Sequence, residues 1–332
     1  MTSDWQTRAT VDALRQRADI VWRIREFFHR HAFAEVQTPT ISRDTVIDRY
    51  IDPIVIAGRA IACPAAAAER YYLQTSPEFC LKRLLAVGLP AFYQLGPAYR
   101  AGERGQFHNP EFTMLEWYRV GDSIETAIEF LQALTNHVLS QSQHKAFGPT
   151  SVVTYQQAFI RSVGIDPLDS NPEQLARIAA ERHWSLGKSW KDASLDDWLN
   201  LLFAEIVQPQ LGWVGPEIVT HYPVSQAALA QVSPSDDRTA ERFELFVDGV
   251  ELANGYHELL DADELLTRSQ RVLAERRRDG KEDIETENRL IASLRAGMPD
   301  SCGCALGVDR LVMVAIGASS IDSVIAFAIE RA

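Results

Sequence analysis

The sequence predicts an α+β fold, an antiparallel sheet flanked by helices, on three observations. Runs rich in aromatic and β-branched residues come in neighbouring pairs that read as hairpins. Long segments with apolar residues at helical spacing separate those pairs. No stretch rich in Gly, Ser or Pro divides the chain, so its 332 residues are expected to form a single catalytic domain.

Taken in order, residues 9–31 carry Ile20, Ile24, Phe27, Phe28 and His31 on one helical face and lead into EVQTPTIS, which Pro39 holds extended. YYLQTSPEF reads as a strand turning at Pro77 into the helix EFCLKRLLAVG. FYQLGPAYR and PEFTMLEWYRV form two strands around a charged loop at 101–109. Helices are expected over 122–142 and 172–183, and SLDDWLNLLFAEIV opens with the capping pair Ser194 and Asp197. Asp248-Gly249 sits between FELFV and VELAN, and a type I′ turn favours such a pair because both central residues need positive φ. Two charged helices are expected over 261–296, with ERRRDGKEDIE as a solvated helix end. CGCALGVDRLVMVAIG reads as a strand entering a helix, and the apolar stretch from Leu311 to the end as two buried helical segments joined by a turn.

Composition narrows the function. With 46% hydrophobic and 23% charged residues the chain has ample material for a large core. A formal net charge of −12 offers no general attraction to a nucleic-acid backbone. Cys63, Cys80, Cys302 and Cys304 make neither a zinc ladder nor a disulfide framework, which fits a reducing compartment. The N-terminus has no apolar core of a signal peptide, and no apolar run reaches the ~20 residues that span a bilayer, so a cytoplasmic protein is expected. No Walker-type GxxxxGK[ST] and no GxGxxG occurs, so a bound nucleotide must be held another way.

Two strands carry unusual chemistry. Counting from the Asp248-Gly249 turn sets Phe246 opposite Glu251 and Glu244 opposite Ala253, so Glu244 and Glu251 share a face. Two carboxylates there repel unless a cation such as Mg²⁺ joins them, or unless the strand simply faces solvent. In PEFTMLEWY, Phe112, Met114, Glu116 and Tyr118 alternate with Glu111, Thr113, Leu115 and Trp117, and both faces mix apolar and polar groups. Such mixing suits the wall of a pocket. Arg100, Arg104 and His108 bring positive charge for an anionic group. Arg310, where GCALG meets the helix, reaches a ligand or marks tight strand–helix packing.

Together these segments resemble class II aminoacyl-tRNA synthetases, most closely the lysyl type. The first helix with TPTIS resembles motif 1, which builds a homodimer interface in that family; YR…RGQFHNPEFTMLEWY resembles motif 2 and GCALGVDRLVM motif 3. The resemblance implies an antiparallel sheet as scaffold, and it implies roles. Arg100 would contact the α-phosphate of ATP, Asn109 and Phe112 would hold and stack the adenine, and Arg310 would close its other face. Glu103, His108, Leu245 and Gly307 would complete the ATP site, and Glu244 and Glu251 would hold Mg²⁺. Ser76, Pro77, Glu78, Glu116, Tyr118, Glu251, Asn254, Glu258 and Ala305 would contact a substrate with two amines and a carboxylate, since buried ammonium groups need acidic partners. Arg100, Glu251 and Arg310 would be the catalytic set.

The departures are equally specific. The motif 1 helix begins within about a dozen residues of Met1 and the chain stops some twenty residues after Arg310, so no anticodon-binding domain is expected. Motif 3 has Ala305 where the synthetase has glycine, and LANG stands for IGNG. Arg100 is followed by Ala101, Gly102 and Glu103 instead of Arg-x-Glu, which moves the acid by one place. Alternation puts Asn254, Tyr256 and Glu258 on the face opposite Glu251 unless a bulge at Asn254-Gly255 intervenes. A free-standing catalytic core of this kind is similar to the elongation factor P lysine ligases, truncated paralogues of lysyl-tRNA synthetase. That resemblance implies activation of (R)-β-lysine with ATP and its transfer to a lysine ε-amine of elongation factor P, with tRNA an improbable partner. The alternatives are an enzyme that charges tRNA or another acceptor with lysine, and a non-catalytic paralogue that binds an amino acid.

Overall fold

The computed structural model describes residues 5–61, 70–142, 144–187, 190 and 192–332. Cys63 lies outside the described residues. The chain forms two compact units, one from residues 1–146 and 258–332 and the other from the intervening 147–257.

The first unit opens with α1 (Val11–Arg30), which Thr10 caps by accepting the Ala13 amide. Its buried face, Ile20, Ile24, Phe27 and Phe28, meets the aromatic rings of Tyr93, Trp117 and Phe130. The sheet of this unit runs β1 (Ala34–Glu35), β5 (Ala91–Tyr99), β6 (Glu111–Val120) and β11 (Ser301–Gly307). β5–β6 and β6–β11 are antiparallel, whereas β1–β5 is parallel. A smaller sheet joins β2 (Ile41–Ser42), β4 (Arg70–Leu73) and β3 (Ile54–Ala57). Pro77 starts α2 (Glu78–Ala86), and Ser123 closes a capping box on α3 (Ile124–Leu139). α7 (Ala262–Arg278), α8 (Arg289–Ala296) and α9 (Val308–Ile316) complete the expected helices of this unit.

Two expectations need correction here. The end of α7 is not wholly solvated, because Arg276 is only 2% exposed. Its guanidinium donates to the carbonyls of Asp48 and Ile51 and to the Asp52 carboxylate, so three acceptors cover the cost of burying it. After α9, which Gly317 ends at φ +70°, the expected second helix is replaced by short 3₁₀ turns at Ile321–Ser323 and Ile329–Arg331. The backbone there bonds outward instead of along a helix: Ile321 donates to the Gln106 carbonyl and Ile329 to Asn109 Oδ1.

The second unit contains β7 (Ser151–Thr154), β8 (Glu217–Pro223), β9 (Thr239–Val247) and β10 (Val250–His257), paired in that order. α4 (Tyr155–Val163), α5 (Pro172–Glu181) and α6 (Leu195–Leu202) pack an apolar cluster that includes Tyr155, Phe159, Leu202, Tyr222 and Phe246. Asp248 and Gly249 adopt φ +53° and +74°, the geometry a type I′ turn requires. Val247 faces Val250 and Phe246 faces Glu251 as counted, but the register then shifts. The bulge falls between Glu251 and Ala253, so Glu244 faces Asn254, not Ala253, and the proposed bulge at Asn254-Gly255 lies earlier in the strand.

Candidate active site

Three elements of the first unit converge at the loop between β5 and β6. The Arg100 guanidinium lies 5.0 Å from the centre of the Phe112 ring, within cation–π range, and 3.7 Å from Glu103. Glu103, one place later than the pattern expects, is thus the acid that meets Arg100. Arg310 projects from the first turn of α9 and donates from Nη2 to His108 Nε2 at 2.6 Å. That bond requires an unprotonated Nε2, and burial together with the Arg310 and Arg100 charges lowers the imidazole pKa accordingly. Gly307 forms the junction into α9.

Not every member of this loop is available to an anion. Arg104 is committed to Glu330 and Asp322 at 2.6 and 2.9 Å, which removes it from the expected positive trio. Asn109 is 3% exposed; its amide donates to the Glu111 carbonyl at 2.7 Å and its oxygen accepts the Ile329 amide at 3.1 Å. One amide hydrogen and one lone pair remain on that side chain. Asp309, beside Arg310, binds Arg17 at 2.5 Å and accepts the Thr113 amide.

Deeper in the same unit lies an ionic cluster. β6 presents Glu116 and Tyr118 on one face, opposite Ala305 and Gly303 of β11. Ser76 donates to Glu116 Oε1 at 2.5 Å and the Tyr118 hydroxyl to Oε2 at 3.2 Å. Pro77 positions the first residue of α2, Glu78, whose amide donates to the Ser76 hydroxyl. One turn on, Lys82 bridges Glu78 at 2.7 Å and Glu258 at 2.5 Å. Glu116, Glu258 and Lys82 are 1%, 1% and 4% exposed. Burial, with Glu78 nearby, pushes the Glu116 carboxyl up to about 8, while burial raises the Tyr118 hydroxyl beyond any physiological range. Burial thus favours the protonated form of Glu116, against the hydrogen bonds from Ser76 and Tyr118 that favour the charged one. Glycine at 303 is required here, since a Cβ would lie 2.3 Å from Tyr118 Cε1 and 2.5 Å from Glu258 Oε1.

In the second unit the bulge aligns a polar row along the β9–β10 hairpin. Residues directly opposite in an antiparallel pair share a face, so Glu244, Phe246, Glu251 and Asn254 lie on one side. Glu244 accepts from Arg242 at 2.5 Å and from the Tyr222 hydroxyl at 2.6 Å, and Arg242 also reaches Asn254 Oδ1 at 3.3 Å. Leu245 is fully buried. Among the described residues no three His, Cys, Asp or Glu side chains gather around a common metal position. Glu244 and Glu251, on one face of the hairpin, supply carboxylate oxygens of the kind a hard cation takes when its other ligands come from phosphates and water.

Sequence reasoning missed Lys82, Gly303, Arg242 and Tyr222. Lys82 had one visible signal, the i,i+4 spacing from Glu78 in EFCLK. Tyr222 and Arg242 had none, because they meet Glu244 only through register with β8 and alternation along β9.

Residues 2–331 match the family model of class II tRNA synthetases of the D, K and N type. The chain belongs to that family, whose members are ATP-using ligases. Within it, the chain is 41% identical over 333 residues, 99% of each chain, to the elongation factor P–(R)-β-lysine ligase of Vibrio cholerae. It is 42% identical to the proteins of the same name from Yersinia enterocolitica and Klebsiella pneumoniae, with 100% of this chain and 99% of each relative covered. No helix among the described residues is long and apolar enough to cross a membrane.

Proposed function

We propose that this protein activates (R)-β-lysine with ATP as the adenylate and ligates it to the ε-amino group of a lysine on elongation factor P, in the cytoplasm. The observation that carries the substrate class is the buried cluster of Glu78, Glu116, Glu258 and Lys82. Three acids gather about one ammonium, so the cluster holds more acid than base, and a substrate with two ammonium groups suits it better than an amino acid with one. Tyr118 and Ser76 add polar contacts, and Ala305, opposite Glu116, narrows the floor by a methyl.

Nucleotide binding draws on the loop chemistry described above. Phe112 and Arg310 sandwich the adenine, with Asn109 contributing its remaining donor and acceptor and its backbone. The guanidinium of Arg100, now stacked on Phe112, stabilises charge that develops on the α-phosphate as the substrate carboxylate attacks. His108, unprotonated, relays the orientation of Arg310, and Glu103 holds Arg100. Glu244 and Glu251 are the residues that would hold Mg²⁺, which when bound neutralises phosphate charge. In this reading the catalytic set is Arg100, Glu251 and Arg310, and Asn254 contacts the substrate beside Glu251.

The exposed Val11 and Trp22 on α1 suit a homodimer built through the motif 1 region. Intact-mass measurement of elongation factor P after incubation with enzyme, ATP and each lysine isomer tests the reading. The expected result is a gain of one lysyl residue, larger in yield for (R)-β-lysine. An unmodified factor beside lysine-charged tRNA would overturn it.

A further inference from the structure

Lys82 is a cation inside the acidic cluster, bonded to Glu78 and Glu258, and the reaction described above gives it no part. It sits on α2 beside Leu81 and Leu85, which are 0% and 1% exposed, and is itself 4% exposed. Its ammonium touches two carboxylates that come from distant parts of the chain. Glu78 lies one helical turn away, and Glu258 follows β10, where its backbone amide donates to the Ser301 carbonyl. Glu258 is constrained on another side by Gly303, whose missing Cβ leaves room for its Oε1 and for the Tyr118 ring. A surface i,i+4 pair contributes little and tolerates loss, but a buried ammonium shared by two acids has a different consequence. Without it, the two buried carboxylates lose the ammonium they share, and the attraction that favours their charged forms there is removed.

We infer that Lys82 is a positioning and specificity-determining residue, an internal counter-ion that holds Glu78 and Glu258 as an oriented carboxylate pair for the ammonium groups of the substrate. The inference rests on the diamino-acid reading of the pocket. It does not make Lys82 a catalytic residue, since the ammonium acts through the two acids. The charged groups that face it are Glu78 on α2 and Glu258, which touch it, and Glu116 on β6, which lies close enough to feel its charge. Strong attraction from Glu258 and Glu78 keeps the Lys82 ammonium charged despite its burial. Held on one ammonium, the two carboxylates are placed to exchange part of their bonding to an incoming amine.

The test is amino-acid-dependent ATP–pyrophosphate exchange by the full chain with (R)-β-lysine, comparing wild type, Lys82→Met and Lys82→Gln. Methionine keeps the length and removes the charge; glutamine keeps a hydrogen-bond donor and also removes the charge. Both variants are expected to raise the KM for (R)-β-lysine on the order of 100-fold while the KM for ATP stays at the wild-type value. Both should also displace the acidic limb of kcat/KM for the amino acid to higher pH, because loss of the ammonium removes an attraction that favours the charged carboxylates. A variant with unchanged KM and pH profile overturns the inference. So does a parallel loss in both substrates, which marks a purely structural lysine, and Lys82→Gln decides the matter if Lys82→Met does not fold. Absence of exchange by the wild type with either lysine isomer defeats the functional reading and this inference with it; robust wild-type exchange with an unaltered variant defeats this inference alone.

Discussion

At Glu116 the environment, not the residue type, sets the chemistry. Its carboxyl is raised from 4.5 to about 8, chiefly by burial, so the folded state holds a proton that the unfolded chain has released. Stability from this group is complete below the unfolded value and is lost as pH rises through the folded one. Thermal melts of wild type and Glu116→Gln should therefore diverge between about pH 5 and pH 8, with the wild type falling relative to the variant; parallel curves would contradict the shift. Gly303 makes a second residue-scale prediction. Gly303→Ala forces a Cβ into Tyr118 and Glu258, which should cost about 1–3 kcal/mol in denaturant titration and raise the KM for the amino acid. The acids of this cluster were legible from the sequence because carboxylates among aromatics break the expected strand pattern. Lys82 was not, since a lysine four residues after a glutamate on a helix reads as a surface pair until the fold buries it.

Elements whose ends are written in local chemistry were legible with nearly correct bounds. Ser123 and Ser194 cap their helices, Pro77 starts α2, and Asp248-Gly249 turns the hairpin. The bulge between Glu251 and Ala253 was misplaced, because it depends on which partner atoms the strand finds and not on a residue preference. Its effect is large: without it Asn254 would turn away from Glu244. Phe243 covers Gly255 so closely that a Cβ there would come 2.3 Å from Cζ, and this packing holds the shifted register. The buried end of α7 was hidden for a similar reason, an arginine-rich run that looks solvated until one member finds three acceptors. Arg276→Met leaves those acceptors without their donor, and we expect a loss of about 3–5 kcal/mol in chemical denaturation. The segment tied down, Asp48 to Asp52, also bonds the Ala101 amide next to Arg100. The same variant should therefore raise the KM for ATP, and a variant destabilised with an unchanged ATP KM would confine Arg276 to stability.

For the whole molecule, family membership supplied what periodicity could not. β6 and β11 are neighbours although about 180 residues separate them, and non-local register of this kind is beyond local pattern. The three short motifs still announced the fold, since each packs its chemistry into a dozen residues and their resemblance to one family fixed how they assemble. Charge follows the same logic at this scale. Lys82 sits among Glu78 and Glu258 with Glu116 nearby, whereas Arg100 and Arg310 stand at the loop that would meet phosphate. Phosphate-side and amine-side variants should accordingly separate. Arg100→Ala is expected to lower kcat for exchange by 10²–10³-fold through lost charge stabilisation, whichever amino acid is supplied. The most direct measurement is ATP–pyrophosphate exchange in wild type and Glu258→Gln with (R)-β-lysine and with an otherwise matched amino acid that lacks the distal amine. Wild-type exchange with the diamine alone, falling steeply in Glu258→Gln, is the predicted result; equal exchange with the monoamine, or a Glu258→Gln variant as active as wild type, would contradict the account.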